Sequence, residues 1–181
     1  SYRAGRGVEI INSHVLPDRY EVWLTLMRTA PELSRATPRR MRPRQGIEMT
    51  YALPGAANLH DLCVWREGRG SALFGGLGTD VRLHLAVLHV NPTLRASATL
   101  KYSPQNSRRL ALERLRVLSL DRASEGPRGR RAERAIQEAG TTLDVLVDAR
   151  KEGSGTTMRI FGEDPQRVLR KVRRIVRGGT S

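Results

Sequence analysis

The sequence predicts an α+β domain: a mainly antiparallel sheet with about three helices, the last an amphipathic basic helix packed on the sheet. Three observations predict it. Short runs of alternating apolar residues fill roughly the first hundred positions. Helix punctuation begins only at Ser103. The final helical stretch carries one apolar stripe in an otherwise basic surface. A chain of 181 residues is long enough for one domain with its own core. The expected organisation is therefore a single domain over residues 1–181. Residues 1–102 form a β-rich part, and residues 103–181 run helix, helix, strand, strand, helix.

Residues 7–16 read as a strand, and Pro17-Asp18 as a turn. Residues 20–27 alternate, with Tyr20, Val22, Leu24 and Leu26 on one side, which predicts a hairpin partner for the first strand. Residues 31–45 break the pattern: Pro31, Pro38 and Pro43 stand among Arg35, Arg39, Arg40, Arg42 and Arg44, as in a basic extended loop. A strand follows over residues 47–53, closed by Pro54-Gly55, then a short strand or helical turn over residues 59–66. The glycine-rich stretch 68–78 reads as irregular. Residues 81–90 read as a strand closed by Asn91-Pro92, and residues 96–102 as the next.

Ser103-Pro104 is a helix start, with serine as N-cap and proline in the first turn. The predicted helix covers residues 108–120 and is broken by Gly126, Pro127 and Gly129. A second covers residues 130–139 and stops at Gly140. Strands are predicted over residues 141–149 and 156–161, joined by a turn at residues 151–155. Asp164-Pro165 opens the last helix, to about Arg177. Its Val168, Leu169, Val172, Ile175 and Val176 recur at helical spacing on one stripe.

Charge dominates the functional reading. The net charge is +14, from 32 basic and 18 acidic residues, and Lys101, Lys151 and Lys171 are the only lysines. Codon bias toward arginine accounts for the choice of cation but not for the excess of base over acid. Arginine's planar fork pairs with phosphate and stacks on bases. The basic residues gather in three places: Arg39, Arg40, Arg42 and Arg44 in the loop; Arg128, Arg130 and Arg131 beside Pro127; and Arg170, Lys171, Arg173, Arg174 and Arg177 on the last helix. That footprint predicts a nucleic-acid partner, RNA favoured over DNA, held mainly through its backbone, because aromatics are only 4% of the chain. The expected function is a non-catalytic RNA-binding component of a ribonucleoprotein particle such as a ribosome, alongside other proteins of an assembly. Two alternatives stay open: a structural or assembly protein whose basic surface meets an acidic partner, and an enzyme on nucleic acid or a phosphorylated substrate using His60, Asp61, Asp80 or His84.

Catalytic and metal motifs do not stand out. Cys63 is the only cysteine and His14, His60, His84 and His89 are dispersed, so no four-ligand zinc spacing exists. Gly75-Gly76-Leu77-Gly78 matches a G-x-x-G clamp but lacks its flanking helices. No catalytic residue, metal or cofactor is expected. No stretch reaches the roughly 18 apolar residues of a membrane helix, and residues 1–7 lack a signal-peptide core. The expectation is an intracellular protein, cytoplasmic or organellar if a transit peptide has been removed, with no membrane insertion.

Overall fold

The computed structural model describes residues 15–76, 79–121, 130–139, 143–149 and 155–177. Seven strands form one sheet: β1 Glu48–Ala52, β2 Leu62–Arg66, β3 Leu73–Phe74, β4 Ala96–Lys101, β5 Val117–Leu120, β6 Val145–Asp148 and β7 Thr157–Gly162. Their order is β3-β2-β1-β4-β7-β6-β5. The sheet is mixed, because β5 joins β6 in parallel while the other neighbours run antiparallel. Among the described residues there are five α-helices: α1 Val15–Ala36, α2 Thr79–Val90, α3 Pro104–Leu112, α4 Arg130–Ala139 and α5 Pro165–Arg177. This corrects the α+β expectation of a mainly antiparallel sheet with about three helices. The architecture is α/β, with helices on both faces of the sheet.

Strand alternation sends side chains to two different layers. On one face Met49, Cys63, Trp65, Ala98, Leu100, Val147 and Ile160 pack under α1, α3 and α5, which contribute Leu26, Leu33, Leu110, Val168 and Val172. On the other face Leu146 and Phe161 meet Val87 and Ile136 of α2 and α4, while Ala52, Leu62 and Val64 meet Val81 and Leu88 of α2. Among the described residues no helix is long and apolar enough to cross a membrane.

Four of the predicted elements are corrected. The strand expected over residues 20–27 lies inside the 22-residue α1. Val22, Leu26, Ala30 and Leu33 are all buried, and their spacing of four, four and three is a helix stripe that shares Val22 and Leu26 with an alternating pattern. The helix continues through Pro31 to Ala36, so the loop expected over residues 31–45 is shorter. It contains a one-turn 3-10 helix, Arg39–Met41, whose Met41 is buried. The strand expected over residues 81–90 is α2. Val81 and Leu88 serve one core cluster and Leu83 and Val87 another, so apolar residues nearly encircle the helix and hide its period. The helix expected over residues 108–120 ends at Leu112. Arg114 then takes a φ of 56°, reversing the chain into β5. β5, α4 and β6 make a strand–helix–strand crossover, which parallel strands require. The strand expected over residues 7–16 lies mostly outside the described residues, as does the turn at residues 151–155 apart from Gly155.

The N-cap at Ser103 and the helix over residues 130–139 stand where the sequence places them. Ser103 accepts from the Asn106 amide at 3.2 Å. The last helix also has the expected face: Pro165, Val168, Leu169, Val172 and Ile175 are its buried residues.

Candidate active site

The sheet face under α2 carries an unusual run of polar side chains. Arg66, Glu48, Thr99 and Arg159 lie in one transverse row, since Glu48 pairs with both Arg66 and Thr99, and Thr99 with Arg159. The next row holds Thr50 opposite Ser97. Thr50, Ser97, Thr99 and Arg159 are all buried. Burying such groups costs several kcal/mol each unless they are paired, so their partners define the site.

Arg159 is the hub. Its Nη2 donates to Glu48 Oε1 at 2.8 Å, and its Nη1 donates to Ser97 Oγ at 2.7 Å and to Thr50 Oγ1 at 3.4 Å. Arg66 Nε donates to the other Glu48 oxygen, Oε2, at 2.9 Å. Glu48 is thus held by two guanidinium groups. On the far side, Ser97 Oγ lies 2.9 Å from His84 Nδ1, and His84 Nε2 lies 2.8 Å from the Leu94 carbonyl. A carbonyl only accepts, so Nε2 carries the proton. Burial, with the Arg159 charge adding to it, pushes the His84 pKa down to about 3. The neutral ring then accepts the Ser97 hydroxyl proton at Nδ1, and the Ser97 oxygen accepts from Arg159. From Arg159 the bonds run one way through Ser97 and His84 to the Leu94 carbonyl, while on the other side Glu48 accepts from both Arg159 and Arg66. Helix α2 supplies His84 because that position falls between its two apolar stripes and so faces the sheet.

Among the described residues, the one buried side-chain polar atom without a hydrogen-bond partner is Thr99 Oγ1. It lines a cavity of about 300 Å³ together with Gln45, Glu48, Arg66, Glu67, Arg69 and Asp80. A second cavity, of about 260 Å³, shares Arg66 and Arg69 with the first and is otherwise bounded by Val64, Ser71, Leu73, Phe74, Gly75 and Gly76. The two form a cleft over β2, at the end of the sheet where α2 begins. Gly76 packs directly against Val64 in the wall of the second part: a Cβ there would stand 2.5 Å from Val64 Cγ2.

The basic residues singled out in the sequence are not gathered at one place. Arg39, Arg40 and Arg44 are exposed around the 3-10 turn. Arg42 is tied down: it bonds Glu67 at 2.6 Å and the Ser34 carbonyl. It touches the cleft only through Glu67. Arg128 lies outside the described residues, and Arg130 and Arg131 open α4. Helix α5 packs on the opposite face of the sheet from the cleft, and acids from other elements meet its ridge. Lys171 pairs with Asp144 at 2.8 Å, Arg174 with Glu113 at 2.9 Å, and Arg173 with Glu32 at 3.8 Å. The sequence shows no acid within the helix beyond its start, but the fold brings these three to it. Lys171 also borders a separate cavity of about 390 Å³ with Arg116, Asp144 and Arg167.

Other candidates have structural explanations. Asp61 caps the turn at Asn58, accepting from the Ala57 and Asn58 amides. Cys63 is buried under α1, which pushes its thiol up to about 12 and removes it as a nucleophile at neutral pH. Among the described residues no three His, Cys, Asp or Glu side chains gather as a metal site would need. Asp80 and His84, named in the sequence as candidates for an enzyme, lie at the cleft and behind it. The remaining members, Glu48, Arg66, Ser97, Thr99 and Arg159, were missed. Glu48, Ser97, Thr99 and Arg159 sit at polar positions alternating with apolar ones, which reads as a solvent face unless a second layer of helices covers it, and Arg66 ends a strand that is otherwise apolar.

The sequence profile of the family described as thiamine-phosphate synthase ThiN matches residues 25–174. No curated protein matches in a sequence search. Among solved structures, the C-terminal domain of protein MJ0236 superposes with a TM-score of 0.75 at 21% identity, covering 90% of this chain and 98% of its own. The C-terminal domain of a phosphomethylpyrimidine kinase gives 0.74 at 21% identity, covering 87% and 99%. An aldolase II superfamily protein from Pseudomonas syringae gives 0.50 at 13% identity, covering 93% and 77%. These likenesses concern the fold. The family match overturns the expectation of a non-catalytic RNA-binding protein of a ribonucleoprotein particle, and with it the nucleic-acid partner. It points instead to an enzyme with small-molecule substrates.

Proposed function

The chain belongs to the thiamine-phosphate synthase ThiN family, and on that premise we propose that it is an enzyme of thiamine-phosphate synthesis whose substrates bind in the cleft over β2 and β1. The observation that carries the placement is Thr99: a buried, unpartnered hydroxyl on the wall of a cavity of about 300 Å³, flanked in register by Glu48 and Arg159. A native fold rarely leaves such a group unsatisfied, and a catalytic role is one of the few reasons it does so.

The chemistry fits the lining. Thiamine phosphate contains an aminopyrimidine ring, a methylene bridge and a thiazolium ring bearing a phosphate ester. Its formation joins the thiazole nitrogen to the pyrimidine methylene, while a leaving group departs from that carbon with the bonding pair. Positive charge develops on the thiazole nitrogen. Carboxylates of Glu48 and Asp80 at the cavity offset that charge, and Glu48 is held in place by Arg66 and Arg159 so that it need not reorganise during the reaction. The guanidinium groups in turn face phosphate. Thr99 supplies a hydroxyl that donates to or accepts from a heteroaromatic ring edge.

The test is direct synthesis. The purified chain, supplied with an activated pyrimidine and a thiazole phosphate, is expected to form thiamine phosphate, detected by chromatography after oxidation to its fluorescent derivative. Thr99→Val keeps the shape and removes the hydroxyl. It is expected to cut the rate at least about tenfold while leaving the melting temperature unchanged or raised, since relieving an unpaired buried group is worth about 1 kcal/mol or more. A folded chain that forms no product, or a Thr99→Val variant as fast as the parent, overturns this reading or its placement respectively.

A further inference from the structure

We propose that the cleft is two-lobed and that Arg66 and Arg69, at the junction, form its anion site: they hold the phosphate of a heteroaromatic phosphate ester whose rings occupy the lobes. This rests on the thiamine-phosphate reading and adds to it the position of the phosphate and of each kind of ring.

Three observations carry the inference. First, Arg66 and Arg69 are shared by both cavities, while nearly all their other lining residues differ. Arg66 sits at the end of β2 and Arg69 in the turn that follows, where the Arg69 amide donates to the Arg66 carbonyl at 3.1 Å. The turn relies on Gly68 and Gly70, with φ of 83° and 77°, which keeps the two arginines on one tight bend. Two arginines lining the same cavities match a phosphate, which offers several oxygens to guanidinium donors.

Second, the lobes differ in chemistry. The lobe beyond Arg66 toward β1 and β4 is polar, with Thr99, Glu48 and Asp80. It suits a ring that carries hydrogen-bonding edges, such as an aminopyrimidine. The lobe toward β3 has Val64 and Leu73 on the cleft face of the sheet, while the Phe74 ring turns to the α1 face. Leu73 is 68% exposed there among the described residues, an apolar side chain on an edge strand. This lobe suits the carbon-rich part of the thiazole ring, with the reacting nitrogen turned toward Glu48 and Asp80 of the polar lobe. Gly76 packs directly on Val64 at the wall of this lobe, where any side chain would collide with it.

Third, the charge balance permits an anion. Carboxylates are present: Glu48, Glu67 and Asp80 line the polar lobe. Glu48 is taken by Arg66 and Arg159, and Glu67 by Arg42. With Arg69 added, the guanidinium groups around the cleft outnumber the carboxylates by one.

The experiment measures binding of thiamine phosphate, thiamine and inorganic phosphate by calorimetry, to the parent and to two exposed-site variants, Arg69→Gln and Leu73→Ala. The parent is expected to bind thiamine phosphate at least about tenfold more tightly than thiamine, equivalent to about 1.4 kcal/mol. Arg69→Gln is expected to remove that preference and leave thiamine affinity within about twofold. Leu73→Ala is expected to weaken both ligands by the same factor, about threefold to tenfold. If Arg69→Gln keeps the full preference while the synthesis assay succeeds, the junction is wrong and the functional reading stands. If Leu73→Ala changes neither ligand, the apolar lobe is wrong. If neither thiamine compound binds but inorganic phosphate binds the parent and not Arg69→Gln, the anion site stands and the thiamine reading falls.

Discussion

At the scale of single residues, His84 joins the helix layer to the sheet. Its ring is buried, edge-on to Phe161 at a centroid distance of 5.2 Å, and both nitrogens are occupied. A second proton on the ring would sit at Nδ1, against the Ser97 hydroxyl and toward the Arg159 charge. The consequence for pH is specific. The folded pKa lies near 3, below the ordinary 6.5. Above pH 6.5 the ring is neutral in both folded and unfolded chains, and the network's contribution is complete. Below it the unfolded chain takes up a proton that the folded chain refuses. Stability therefore falls as pH drops from 6.5 toward 3, by up to about 1.4 kcal/mol per unit from this group. Urea unfolding between pH 7 and pH 5, before carboxylates titrate, checks this. His84→Gln is expected to be less stable at pH 7 and to lose most of the slope; an unchanged slope would mean that the ring does not refuse the proton. Of this network the sequence singles out only His84, and not its partners. Ser97, Thr99 and Arg159 lie at alternate positions of strands, the pattern of a half-wet sheet, and only the helix over that face makes them buried partners.

At the scale of elements, legibility tracked how one-sided each segment is. Helix α5 buries one stripe, so its period, its cap at Asp164 and four of its five buried residues are readable, with Val176 half-buried and Pro165 buried: Asp164 Oδ1 accepts from the Arg167 amide at 2.8 Å. Helix α2 buries two stripes, and α1 shares two of its buried residues with an alternating pattern. Both were read as strands because a nearly all-apolar or ambiguous decapeptide does not reveal its own period. The stripe of α5 also fixes its part in stability. Val168, Leu169 and Val172 are fully buried against α1 and the sheet. Val172→Asp places an uncompensated charge there and is expected to cost about 3–5 kcal/mol, enough to unfold a marginally stable domain. Arg170→Gln on the exposed side of the same helix is expected to shift stability by under about 0.5 kcal/mol. Thermal melts of the two variants check the pair. A Val172→Asp chain that melts with the parent would contradict the burial described for α5.

At the scale of the whole molecule, the net charge of +14 keeps a physical role even though it does not mark a nucleic-acid site. Many individual bases are locally paired, with Arg42, Arg66, Arg109, Arg159, Lys171 and Arg174 all holding acids within 3 Å, but that pairing leaves the excess itself untouched. Paired charges still add to the distant field, however, and here bases outnumber acids. A field of one sign draws anionic solutes toward the surface and raises their encounter rate. The proposed substrates carry phosphate, so the field acts on capture and not on the chemical step, which takes place inside the cleft on groups fixed by the sheet. Salt separates the two, because the Debye length shrinks from about 30 Å at 0.01 M to about 8 Å at 0.15 M. Raising ionic strength across that range is therefore expected to lower kcat/KM for the phosphorylated substrate by about threefold to tenfold, within the reach of electrostatic steering. kcat is expected to stay constant, and thiamine, which bears no phosphate, should bind no more weakly. Initial rates at fixed pH in increasing chloride make the measurement. If kcat falls in step with kcat/KM, salt is breaking the Glu48–Arg159 and Glu48–Arg66 pairs within the site. If neither changes, the excess arginine has no part in bringing substrate to this cleft.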